Sequence, residues 1–73
     1  MPDVKKDWEK PDGTPVSCTE KIKVLNENYA EIRESVQEAL DDAVLMGCSI
    51  EKFKEIYREM LDKIEASYPE QNS

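Results

Sequence analysis

Three features of the sequence predict an all-α fold: an antiparallel helical hairpin of two helices that dimerises into a four-helix bundle, with a disordered N-terminal tail. First, Ile22, Leu25, Tyr29, Ile32, Val36, Ala39, Ala43 and Met46 follow one another at alternating steps of three and four. That is the heptad seam of a long helix packing its stripe against other helices. Second, Ile50, Phe53, Ile56, Tyr57, Met60, Leu61 and Ile64 repeat this spacing in a second segment. Third, only Gly47-Cys48-Ser49 separates the two, a turn so short that the helices must run antiparallel side by side.

Residues 1–16 carry four acidic and three basic side chains, three prolines and few apolar groups beyond Val4, Trp8 and Val16. Such a stretch buries too little to offset its conformational entropy, so the composition predicts a flexible tail. Within it, Pro11-Asp12-Gly13-Thr14 is a turn signal, with proline pre-setting φ and glycine accepting a positive φ. Trp8 has three readings: incidental in a polar tail, folded back onto the helices, or the anchor of a partner-binding motif.

The hairpin is expected over residues 17–68. Ser17-Cys18-Thr19-Glu20 fits a capping box, with Ser17 bonding a first-turn amide and Glu20 reaching back. The first helix is then expected over about 19–46, roughly 40 Å long. Gly47 stands where a helix C-terminus needs a left-handed residue. Ser49 is the expected N-cap of the second helix, which should run over about 50–67, because Pro69 disfavours helical geometry at Tyr68. Residues 69–73 are expected to fray.

In antiparallel register, Met46 opposite Ile50 places Ala43 against Phe53, Ala39 against Tyr57, Val36 against Met60 and Ile32 against Ile64. Small side chains on one helix then meet large ones on the other, as a packed seam requires. Ile22 and Leu25 extend past the second helix, while Leu40, Val44, Ile56 and Leu61 widen the stripe beyond what one pair of helices covers. A second copy of the chain, the folded-back Trp8 tail, or a larger hetero-complex would supply the missing cover.

Composition narrows the function. The 73 residues hold 17 acidic and 10 basic side chains, for a net charge of −7, and no histidine. A surface of that sign repels phosphate backbones and anionic membranes, which argues against direct nucleic-acid or membrane contact and leaves a basic protein partner open. The opening residues carry no apolar leader pattern and no run of 18 apolar residues occurs, so the expected location is cytoplasmic. In that reducing compartment Cys18 and Cys48 are expected to be free thiols. A continuous helix would hold them about 45 Å apart, far beyond the roughly 7 Å a disulfide allows, although a thiol-dependent switch between chains is a third reading of this pair.

The outer face of the first helix presents Glu27, Glu31, Glu34, Glu38, Asp41 and Asp42. This row reads either as a solvated face opposite the seam or as an acidic ridge that imitates a nucleic-acid backbone before a basic protein. No carboxylate occupies a seam position and no histidine is present, so neither a di-iron nor a zinc centre is expected, and no cofactor. Lack of histidine removes the usual general base, and two isolated glycines make no phosphate loop. The expectation is a non-enzymatic small acidic protein–protein interaction module, regulatory or scaffolding, acting as a homodimer. Its dimer or core interface is expected at Ile22, Leu25, Tyr29, Ile32, Val36, Leu40, Val44, Phe53, Ile56, Tyr57, Met60, Leu61 and Ile64.

Overall fold

The computed structural model describes residues 7–71 and contains two helices, α1 (Thr19–Leu45) and α2 (Ile50–Lys63), with no strand among the described residues. The α1 helix runs unbroken for 27 residues because neither proline nor glycine interrupts it. The chain is elongated, spanning 46 × 25 × 18 Å. Its radius of gyration is 15.3 Å, against about 11 Å for a compact globule of this length.

The turn between the helices follows its sequence signals. Gly47 takes φ 91°, the Cys48 amide donates to the Ala43 carbonyl at 2.8 Å and the Gly47 amide to Val44 at 3.0 Å. These two bonds make a Schellman closure, which satisfies carbonyls that the end of α1 would leave bare. Ser49 then caps α2, its hydroxyl accepting from the Lys52 amide at 2.9 Å.

Two end points differ from the sequence expectation. The capping box is not formed: the N-cap of α1 is Cys18, in extended conformation with no side-chain cap bond. Ser17 therefore lies one position too early to serve the first turn, and a thiol is a weak acceptor. At the other end, α2 stops at Lys63 rather than near Ser67, with Ile64 extended at ψ 129°. The last expected turn has nothing to pack on. Ile32, its intended counterpart, is 63% exposed, and a helix end without tertiary contact gains too little from propensity to persist.

Residues 7–16, read from composition as flexible, form a small hydrogen-bonded hairpin; residues 1–6 and 72–73 lie outside the described residues. Glu9 and Pro15 form an antiparallel bridge, and the Val16 amide donates to the Trp8 carbonyl at 2.9 Å. Lys10 and Gly13 close the turn at 2.9 Å, and Gly13 adopts φ 89°. Asp12 adds an Asx turn, its Oδ1 accepting from the Thr14 hydroxyl at 2.6 Å and the Thr14 amide at 2.9 Å. Local turn chemistry thus orders a stretch that has no hydrophobic core of its own.

The interior is small. Phe53, 6% exposed, is the one buried apolar residue among those described. It stacks on Tyr57 one turn later, with ring centroids 4.1 Å apart and planes 22° from parallel. Val36, Ala39, Leu40 and Ala43 on α1 are half-buried. Small residues on α1 thus become covered at the level where the antiparallel register sets Phe53 and Tyr57 against them.

Candidate interaction surface

The expected seam residues separate into two groups. Ile22, Leu25, Val36, Leu40, Phe53 and Tyr57 are half-buried or buried. Tyr29, Ile32, Val44, Ile56, Met60, Leu61 and Ile64 are exposed, Leu61 to 66%. On α2 the exposed members lie beside Phe53 and Tyr57 on one helical face, so the apolar stripe continues past the contact with α1.

The chain as a whole is also more open than a compact fold. The chain exposes 6755 Å², whereas a folded monomer of its mass exposes about 4,600 Å². Granting the eight terminal residues outside the description the full surface of an extended chain still leaves an excess of about 1,200 Å².

The tail covers one end of α1. Trp8 is half-buried and its indole Nε1 donates to Asn26 Oδ1 at 2.7 Å. A cleft beside it is lined by Pro15, Val16 and Ile22. Sequence reasoning singled out Trp8 but missed Asn26, a polar residue one position off the seam at Leu25; a lone polar group beside uncovered apolar residues was the available signal. Gln71 borders a second cleft with Val16, Cys18 and Lys21. After leaving α2, the chain therefore returns to the N-terminal end of α1. Val24 and Leu25 line an open, apolar depression on the same end.

All six carboxylates of the acidic row, Glu27, Glu31, Glu34, Glu38, Asp41 and Asp42, are exposed. Lys23 pairs with Glu27 at 3.9 Å and Gln37 donates to Asp41 at 3.1 Å. On α2, Lys52 pairs with Glu55 at 3.5 Å and Lys63 with Glu59 at 2.7 Å. Such exposed pairs each contribute little to stability. Asp12 is the one described group whose ionisation moves clearly: the Thr14 hydroxyl and then the Thr14 amide hold its carboxyl below the usual carboxylate value.

Cys18 and Cys48 are free and exposed, at opposite ends of α1. No group of three metal-ligating side chains gathers among the described residues. No helix among them is long and apolar enough to cross a membrane. No protein-family model matches the chain, and no curated protein or solved structure is significantly similar to it.

Proposed function

We propose that this chain is a small, acidic, non-enzymatic interaction module of the cytoplasm that works as a homodimer, two hairpins forming a four-helix bundle that scaffolds or regulates a protein partner. The observation carrying this reading is the surplus of apolar surface: among the described residues a single buried side chain, Phe53, beside a stripe of exposed Ile56, Met60, Leu61 and Ile64. Small domains of this size generally complete their core with a disulfide, a metal or another subunit. Both cysteines are free, and the chain offers no gathered metal ligands among its described residues, which leaves the subunit. The excess of about 1,200 Å² per chain lies within what homodimers bury.

Sedimentation equilibrium from 1 to 100 μM tests the homodimer. A mass of twice 8.4 kDa is expected; a folded 8.4 kDa monomer throughout overturns it.

The acidic row supports a second reading, an inhibitor that offers negative charge to a basic nucleic-acid-binding protein. In its favour, all six carboxylates stand exposed on the side of α1 away from the seam and would remain accessible in the bundle. Reversing Glu31, Glu34 and Glu38 to lysine should then abolish capture by a basic partner while helicity by circular dichroism stays constant; unchanged capture excludes it.

A further inference from the structure

The two helices end differently. At the end of α1, Gly47 turns the chain at φ 91° and the amides of Gly47 and Cys48 close onto the Val44 and Ala43 carbonyls. Nothing comparable closes α2. Ile64, its C-cap, still donates its amide to the Met60 carbonyl at 3.1 Å and keeps a helical φ of −70°, so that only its ψ of 129° turns the chain away. No backbone amide among the described residues reaches the carbonyls of Leu61, Asp62 or Lys63. One added turn would pair all three, with the amides of Glu65, Ala66 and Ser67.

The residues themselves require no stop at Lys63. Residues 64–67 read Ile-Glu-Ala-Ser, with no glycine to accept a positive φ, and the first helix breaker is Pro69. Glu65 and Ala66 are good helix formers. Exposure shows what is missing. Ile56, Met60 and Ile64 follow at steps of four, forming one row along the side of α2, and all three are exposed. Ile32, which the antiparallel register sets across from Ile64, is exposed as well. In the single chain an added turn would cover Ile64 on its α1 side only, and the entropy lost in ordering four residues outweighs that contact. A second copy lying on Ile56 and Met60 reaches Ile64 one turn further along the same row and covers its open side.

Resting on the homodimer reading above, we infer that residues 64–67 are a conditional last turn of α2, non-helical in the single chain and helical when a second copy covers Ile56, Met60 and Ile64. Dimerisation and the forming of this turn are then one linked equilibrium, and each favours the other. The backbone preferences of Glu65, Ala66 and Ser67, exposed residues outside the helix of the single chain, thereby set the strength of the dimer.

Ala66→Pro tests the coupling. In a helix, proline removes the Ala66 amide and clashes with the Asp62 carbonyl, whereas in the single chain that amide meets no backbone carbonyl among the described residues. In sedimentation equilibrium the variant should dimerise at least about tenfold more weakly than the wild type, while its circular dichroism at monomeric dilution matches the wild type's. Carbon chemical shifts of Glu65, Ala66 and Ser67 give the direct readout. They should be helical in the wild-type dimer and non-helical in Met60→Glu, whose carboxylate in the middle of the row keeps the copies apart. An Ala66→Pro dimer within about tenfold of the wild type's, non-helical shifts in the dimer, helical shifts in both proteins, or a Met60→Glu protein that dimerises like the wild type overturns the conditional turn and leaves the homodimer standing. A monomeric wild type is a separate result that removes the homodimer itself.

Discussion

Trp8 and Asn26 are joined across 18 positions by an indole hydrogen bond of 2.7 Å, which fastens the N-terminal hairpin to the outside of α1. The bond answers a problem posed by the unequal helices. With α2 ending at Lys63, Ile22 and Leu25 lie beyond its reach, and the hairpin brings Trp8, Pro15 and Val16 to that end of the stripe.

Breaking the Trp8–Asn26 bond should release the hairpin without melting the helices. Asn26→Ala is expected to cost about 1 kcal/mol and to shift Trp8 emission to the red, as the ring gains water. Identical emission maxima for the variant and the wild type would show that the indole is not held there.

Phe53 is the one buried apolar side chain among those described, so the fold depends on it more than on any neighbour. Phe53→Ala should lower stability by about 3–5 kcal/mol, close to the whole stability of so small a domain. Loss of the cooperative thermal transition followed by circular dichroism is the expected outcome. A melting curve close to wild type would mean that the interior is elsewhere.

The two helix starts are capped unequally, and substitution should reveal it in opposite directions. Ser49→Ala removes the acceptor of the Lys52 amide and should cost about 1 kcal/mol. Cys18 supplies no cap bond to α1, so Cys18→Ser should stabilise by about 0.5–1 kcal/mol. Urea midpoints for the two variants, moving apart from the wild type, check both.

Acid should loosen the Asp12 turn. The Thr14 hydroxyl and amide hold the Asp12 carboxyl below its ordinary value in the folded chain. A folded value below the unfolded one means that the carboxylate's contribution is complete above the unfolded value of about 3.9 and is lost as pH falls through the folded value. In an NMR titration the Thr14 amide should therefore move with a midpoint below that of an ordinary aspartate, and in Asp12→Ala that movement should vanish. A midpoint at or above the ordinary value would contradict the Asx turn.

Much of the helical part was legible in the residues. The three-and-four spacing from Ile22 to Met46 depends on side-chain periodicity alone and located α1 to within one residue of its end. Gly47 and Ser49 marked the turn because their roles are local, one through a positive φ and the other through a hydroxyl within reach of the Lys52 amide. Ser17 misled because a capping box differs by a single residue from a non-functional neighbour, and backbone geometry rather than residue type decides which residue caps.

The N-terminal segment was less legible for another reason. Composition measures what a stretch can bury, and residues 7–16 bury little. Their order comes from turn hydrogen bonds around Asp12 and Gly13 and from the Trp8 bond to Asn26, which composition does not register. The end of α2 was hidden likewise, since Ile64 fits the helical pattern but has no helix beside it.

The sequence by itself determined that there are two antiparallel helices, where the turn between them falls, and that the surface is acidic, because periodicity, glycine stereochemistry and charge are properties of residues in order. Tertiary structure alone decided which part of the long apolar stripe is covered: α1 is half-covered from Val36 to Ala43, where α2 packs, and again at Ile22 and Leu25, where the Trp8 hairpin lies, while Ile32 and much of the α2 stripe stay bare. Burial is a relation between segments distant in the chain, and its extent depends on where each helix stops, which packing sets.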